Sequence, residues 1–136
     1  MYQQILVPID MAHKERAAAM IEVAQAQLDK NGKITLLNVF EEVPNWVASS
    51  LPADILSKTE ASAHKALREI AGENNTSINV QLCSGRPYQS ILKVAEDIEA
   101  ELIVVASHHP DIGDYFLGST AAKVVRHANC SVFVLR

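Results

Sequence analysis

The sequence has few of the features that mark several common protein classes. Aromatic residues make up only 5% of its 136 positions, so a core has to be built from aliphatic side chains. None of its five glycines forms the Gly-x-Gly-x-x-Gly fingerprint of dinucleotide-binding proteins or the Gly-Lys-[Ser/Thr] of a P-loop. Without a lysine to grip phosphate, the chain does not read as a fast ATPase.

Basic stripes, paired cysteines and long apolar runs are also missing. The 12 basic residues are scattered and the net charge is −4, which predicts no binding to DNA or RNA. Cys83 and Cys130 are far apart and predict buried free thiols rather than a zinc or redox pair. No apolar run reaches membrane-spanning length and no signal-peptide pattern is present, so we expect a cytoplasmic protein without membrane contact.

Strand and helix patterns alternate along the chain. Short apolar runs predict five strands, and apolar residues at helical spacing predict helices between them. The predicted strands are Ile5–Val7, Ile34–Phe40, Ile78–Leu82, Leu102–Ala106 and Ser131–Leu135. Three predicted helices run from Ala17 to a stop at Asn31-Gly32, from Ile55 to Ile70 and from Pro87 to Ile98. A fourth is predicted to face inward with Ala121, Val124, Val125 and Ala128.

This alternation predicts a doubly wound α/β fold. Strands joined by single helices form a parallel sheet with helices on both faces, and the length predicts one domain over residues 1–136. Ligands of such sheets bind beyond the carboxyl ends of the strands, where the winding reverses. Asp10 follows the first strand, a polar loop follows the fourth, and Gly118-Ser119-Thr120 opens a helix whose unpaired N–H groups attract phosphate. The pattern therefore predicts a nucleotide site.

Several segments resemble the universal stress protein family. They occur in order and at the family's spacing over the whole chain, and the Ser-His-x-Pro-Asp-Ile loop is most similar to the small enterobacterial F and G types. The segments are Met1–Asp10, Leu36–Val39, Gly85–Pro87, Leu102–His108, Gly118-Ser119 and Val125–Val134. The resemblance implies a Rossmann-like (HUP-type) sheet with strand order 3-2-1-4-5.

The resemblance also implies a function and a site. It implies a stress-response regulator that binds ATP, ADP or AMP. Asp10 is the candidate contact to a bound Mg²⁺. We expect slow or no hydrolysis of ATP, because the sequence shows no evident general base or arginine clamp. It further implies a homodimer paired through Val132, Phe133, Val134 and Leu135, with unknown protein partners. The implied nucleotide-binding residues are Pro8, Ile9, Asp10, Val39, Ala106, Ser107, His108, His109, Gly118, Ser119 and Thr120.

One departure from the family leaves alternatives open. The ATP-binding branch carries Gly-x2-Gly-x9-Gly-[Ser/Thr], whereas here Ala106 and His109 replace the first two glycines and the following gap is one residue shorter. An alternative is therefore a stress protein that binds no nucleotide and acts only through dimer and partner contacts. A second is a small hydrolase or transferase using Asp10 and His108. Asp10 and Ser119 also have simpler interpretations as turn and helix caps.

Overall fold

Five strands and the helices between them make up the described part of the chain. The structure, a computed structural model, describes residues 1–40, 46, 49, 50, 52–107 and 118–136. The strands are β1 Tyr2–Pro8, β2 Leu28–Phe40, β3 Ile78–Ser84, β4 Leu102–Ala106 and β5 Ser131–Leu135. The helices are a 3-10 helix Met11–Arg16, α1 Ala17–Gln27, α2 Ala53–Ala71, α3 Pro87–Asp97 and α4 Ser119–His127.

The sheet is parallel and has the order β3-β2-β1-β4-β5. This confirms the predicted fold and strand order. The central strand β1 is flanked by β2, with Ile5 opposite Ile34, and by β4, with Leu6 opposite Ile103. The alternating strand β3 lies at one edge, as its polar alternation indicates, and β5 lies at the other.

Apolar side chains fill both faces of the sheet, because alternate residues of each buried strand point to opposite faces. On one face, Ile5 and Val7 of β1 belong to a cluster with residues of α1 and α2, including Met20 and Leu67. On the other, Leu6 belongs to a cluster with residues of α3 and α4. The described helices include none that is both long and apolar enough to span a bilayer.

The predicted end of the first helix is wrong. The helix ends at Gln27 and β2 begins at the next residue, so Asn31-Gly32 lies inside a strand rather than in a helix stop. Leu28 pairs with Tyr2 in the sheet, and this pairing overrides its fit to the helical pattern. Gly32 is buried there, and a Cβ atom on it would lie 2.5 Å from Leu28 Cδ1 and 3.0 Å from the Tyr2 carbonyl oxygen, so a larger residue at this position would require the Leu28 side chain to move.

Helix starts and faces agree with the sequence in part. Pro87 begins α3, as predicted, since its missing N–H is not needed in a first helical turn. Val124 is buried but Val125 is 45% exposed, so the prediction that both face inward is wrong. A nine-residue helix on a sheet edge covers the sheet with a narrow stripe of side chains, and Val125 lies outside that stripe.

Candidate functional site

A cleft opens at the carboxyl ends of the strands. β2 and β4 lie on opposite sides of β1, so the connections that follow β1 and β4 turn to opposite faces and leave a space between them. The cleft in this space has a volume of about 330 Å³. It is lined by Pro8, Ile9, Asp10, His13, Arg16, Ala17, Met20, Leu37, Asn38, Val39, Pro87, Ile91, Val105, Ala106, Thr120 and Ala121.

The cleft collects residues that are far apart in the chain. Of the predicted site residues, those that line it come from β1, β2, β4 and α4: Pro8, Ile9, Asp10, Val39, Ala106 and Thr120. Ser107 is buried directly after β4, Gly118 is buried at the start of α4, and Ser119 is exposed; none of these three lines the cleft. The predictions for His108 and His109 lie outside the described residues.

Asp10 caps the 3-10 helix and faces the cleft. Its Oδ1 accepts a hydrogen bond from the Ala12 N–H at 2.9 Å, and its backbone is extended with φ −90° and ψ 115°. The capping interpretation of this residue is therefore confirmed. Its exposed carboxylate lies at the cleft wall, and the cap holds it there before any ligand arrives.

Asn38 is a buried polar residue that the sequence interpretation missed. It is 7% exposed, lines the cleft, and donates from Nδ2 to the Ile9 carbonyl at 2.9 Å. The Ile9 N–H donates in turn to the Leu37 carbonyl at 2.7 Å. These two bonds extend the pairing of β1 and β2 beyond the strand end, which positions Asp10. A polar residue inside the apolar run from Leu36 to Val39 was the available signal.

Arg16 was also missed, and the sequence interpretation found no arginine near the site. It is half-buried at the end of the 3-10 helix and lines the cleft. Nη1 donates to the Ser107 carbonyl, and Nη2 donates to the Leu135 carbonyl at 3.4 Å. The guanidinium therefore joins the ends of β4 and β5.

The start of α4 forms the opposite wall. Gly118 is its N-cap residue, and the Gly118 carbonyl accepts from the Ala122 N–H at 2.8 Å. Among the described residues no side chain caps this helix, and its N-cap is Gly118, so the alternative in which Ser119 is the cap is not observed. The first turn of α4 carries no acidic residue. Thr120, in this turn, lines the cleft and bears a hydroxyl group. The partial positive charge of the helix start is thus available to an anion.

The two thiols are poorly suited to nucleophilic chemistry. Both are free and half-buried. Burial raises the pKa of Cys83, although a side-chain hydrogen bond with Ser90 lowers it by less, and burial raises the pKa of Cys130. Within the described ranges no three His, Cys, Asp or Glu residues come together as a metal site would require.

Comparison with known proteins gives the family. The model of the universal stress protein family matches residues 1–136. The chain belongs to this family. It is 31% identical over 140 residues to the universal stress protein encoded in the QAH/OAS sulfhydrylase 3′ region of Thermus aquaticus, and 28% identical over 142 residues to universal stress protein G of Salmonella typhimurium. Both matches cover 100% of each chain.

Solved structures of universal stress proteins share the fold. That of UspA from Lactobacillus plantarum has a TM-score of 0.72 at 27% identity and covers 99% of this chain and 98% of its own. A universal stress protein solved in complex with cAMP has a TM-score of 0.63 at 20% identity, covering 99% and 97%. One from Archaeoglobus fulgidus, solved in complex with dAMP, has a TM-score of 0.66 at 15% identity, covering 99% and 98%.

Proposed function

We propose that this universal stress protein binds an adenine nucleotide in the cleft and acts as a stress-response regulator. The observation that carries the proposal is the cleft itself. Its site at the winding reversal is where open α/β sheets hold ligands, and its volume of about 330 Å³ lies in the range of small-molecule sites. It joins apolar side chains to five polar or charged residues: Asp10, His13, Arg16, Asn38 and Thr120.

The two kinds of wall fit the two ends of a nucleotide. Val39 and Pro8 supply apolar surface for adenine, with the amide of Asn38 beside them to meet its polar edge. Asp10 follows β1 and Ala106 ends β4, and both line the cleft, so we assign them to the ribose. Thr120 and the N–H groups of the first turn of α4 suit the phosphate. Ser107, Gly118 and Ser119 are proposed to act through their backbone, and His108 and His109 remain candidates for the phosphate.

The two ligand complexes of relatives support the choice of nucleotide. A universal stress protein holds cAMP and another holds dAMP, so proteins of this fold accommodate an adenine base, a pentose and one phosphate. Both ligands contain adenine joined through a pentose to a single phosphate, which is cyclic in cAMP and attached to a 2′-deoxyribose in dAMP, and we carry only this shared arrangement over to the present chain.

We propose slow or no hydrolysis of a bound ATP. Among the described residues that line the cleft, Asp10 is the carboxylate, and its Oδ1 accepts from the Ala12 N–H, so it is positioned as a helix cap rather than as a general base. The second oxygen of this carboxylate is the proposed contact to Mg²⁺, should the ligand be ATP or ADP.

Two measurements test the nucleotide proposal. Denaturing the purified protein and identifying released nucleotide shows what it carries, and calorimetry with ATP, ADP, AMP and adenosine ranks the ligands. Thr120→Val should weaken AMP and ATP binding by about 1–2 kcal/mol, roughly 5- to 30-fold, through loss of a hydroxyl that meets phosphate. Ser119→Ala is the matched control, because this neighbouring hydroxyl is exposed and outside the cleft.

A folded wild-type protein that binds none of the four compounds would overturn the proposal. That result would favour the alternative in which the protein acts only through protein contacts. Equal affinities of wild type and Thr120→Val would leave nucleotide binding in place and remove Thr120 from the phosphate site.

We also propose a homodimer paired through β5. The Leu135 carbonyl accepts from the Ser107 N–H at 2.9 Å, so the backbone groups of Leu135 point toward β4. Since successive residues of a strand direct these groups to opposite sides, those of Val134 and Val132 point to the open edge. Phe133 is 39% exposed beside them. An unpaired edge next to exposed apolar surface is suited to pairing with a second copy.

A further inference from the structure

Arg16 is a basic residue that lines the cleft, and its hydrogen bonds to the described residues go to neutral groups. Its guanidinium donates to the carbonyls of Ser107 and Leu135. Both acceptors are neutral, and among the described residues no carboxylate lies within ion-pairing distance of Arg16. His13, three residues earlier, does have such a neighbour in Glu15, at 3.6 Å. A half-buried charge that lacks a counter-charge favours the binding of an anion.

The guanidinium also has donors left for a ligand. Arginine carries five N–H groups in a planar fork that matches the oxygens of carboxylate and phosphate. The two bonds within the described part of the chain use two of them, and the one to Leu135 is long at 3.4 Å. A phosphate oxygen therefore competes with a weak bond, whereas the bond to Ser107 can persist.

Arg16 borders the same cleft as the start of α4, which is the proposed phosphate end. Its partner Ser107 directly follows β4, and Thr120 in the first turn of α4 lines the same cleft. A helix start with no acidic residue and a guanidinium thus border one space. Ala106 stands in this chain where the family pattern has glycine, so the backbone there does not offer the same close approach to a ligand.

We propose that Arg16 binds the phosphate of the nucleotide and sets the preference of the site for phosphorylated ligands over nucleosides. The proposal rests on the proposed nucleotide function. Arg16 would retain its bond to the Ser107 carbonyl and donate to a phosphate oxygen from the nitrogen that now reaches Leu135. It would supply the positive charge that a P-loop lysine supplies in other nucleotide-binding proteins.

The test compares AMP with adenosine on charge-matched variants. Calorimetry at low salt on wild type and Arg16→Gln should show AMP affinity at least about tenfold weaker in the variant, with adenosine affinity within about twofold of wild type. Lys14→Gln is the control. Lys14 lies two residues before Arg16, and its side chain is exposed and faces α2 rather than the cleft. Its replacement removes the same charge and should leave both affinities within about twofold of the wild type. Raising the salt concentration should weaken AMP binding in wild type more than in Arg16→Gln.

A purely structural role for Arg16 predicts a different result. If the guanidinium only holds the ends of β4 and β5 together, Arg16→Gln should weaken adenosine and AMP alike, and this outcome would overturn the proposal. Unchanged AMP affinity in the variant would overturn it as well. Arg16→Lys keeps the charge without the fork. It should bind AMP more weakly than wild type and adenosine equally well, which tests the proposal even if the glutamine variant fails to fold.

Failure of the parent proposal has its own signature. If wild-type protein binds neither adenosine nor AMP, the nucleotide function fails and Arg16 has no phosphate to bind. If wild type binds both and Arg16→Gln binds both equally well, the nucleotide function stands and only the role of Arg16 fails.

Discussion

Replacing Asn38 by alanine should destabilise the protein although it removes only three heavy atoms. Asn38 is 7% exposed, and its side chain donates to the carbonyl of Ile9, a residue that is 4% exposed. Alanine leaves this buried carbonyl without its donor, which costs about 1–3 kcal/mol. The unfolding entropy of about 2.1 cal/mol/K per residue, taken over 136 residues, means that each kcal/mol lowers Tm by about 3.5 °C. The expected loss is therefore about 4–10 °C.

Thermal and urea unfolding followed by circular dichroism measure this loss. Protein concentration is held fixed, because association shifts apparent stability. Asn79→Ala is the matched control: it makes the same change on the edge strand β3 at an exposed position, where the effect should stay within about 0.5 kcal/mol. If Asn38→Ala melts within about 2 °C of the control, the bond to Ile9 does not hold the strand ends together, and the reasoning is wrong.

An isosteric variant checks the direction of this hydrogen bond. Asn38→Asp keeps the volume but places an acceptor opposite the Ile9 carbonyl when the carboxyl group is ionised, so it should be at least as unstable as the alanine variant at pH 7. Protonation restores a donor. The native state therefore raises the pKa of the new carboxyl group, and its stability relative to wild type should recover as the pH falls. A constant difference from wild type between pH 7 and pH 4 would contradict the assigned donor.

Two further predictions concern the edge strand and the thiols. Val134→Pro removes an N–H at the open edge of β5 and should convert dimer to monomer in sedimentation, whereas Val134→Ala keeps that N–H and should remain dimeric; a dimeric proline variant would refute pairing through β5. Burial raises the pKa of Cys83 and Cys130 above the ordinary 9.0, so the native state holds these protons more tightly than the unfolded chain. The free energy of unfolding should therefore fall as the pH rises above about 9. It should fall by less in the double variant Cys83→Ala, Cys130→Ala. An equal fall in both proteins would contradict the raised pKa of the two thiols.

The sheet was predictable because its signals are local and repeated. Each buried strand is a short apolar run, and each helix between strands has apolar residues at helical spacing, so the alternation is visible without tertiary information. The order of the strands is not visible in this way, and it came from the resemblance to the family. The prediction of where β2 begins was wrong for a related reason. Leu28 fits a helical pattern, and only its pairing with Tyr2 places it in a strand.

The candidate site was predictable only where a residue adjoins a strand end. Asp10 and Val39 follow or end apolar runs, so topology alone sends them to the cleft. Arg16 ends a 3-10 helix with no buried residue, which leaves no apolar pattern to indicate which way it points. Its acceptors are 91 and 119 residues further along the chain. A role defined by two distant carbonyls has no local signature in the sequence.

Three polar side chains of the cleft are held by hydrogen bonds to backbone groups. Asp10 accepts from the Ala12 N–H, Asn38 donates to the Ile9 carbonyl, and Arg16 donates to the ends of β4 and β5. A side chain that is already ordered loses little rotamer freedom when a ligand arrives, so most of the contact energy can appear as affinity. This matters because Ala106 occupies a position where the family pattern has glycine. Fixed side chains at the two ends of the 3-10 helix and on β2 offer this cleft another way to hold the proposed nucleotide.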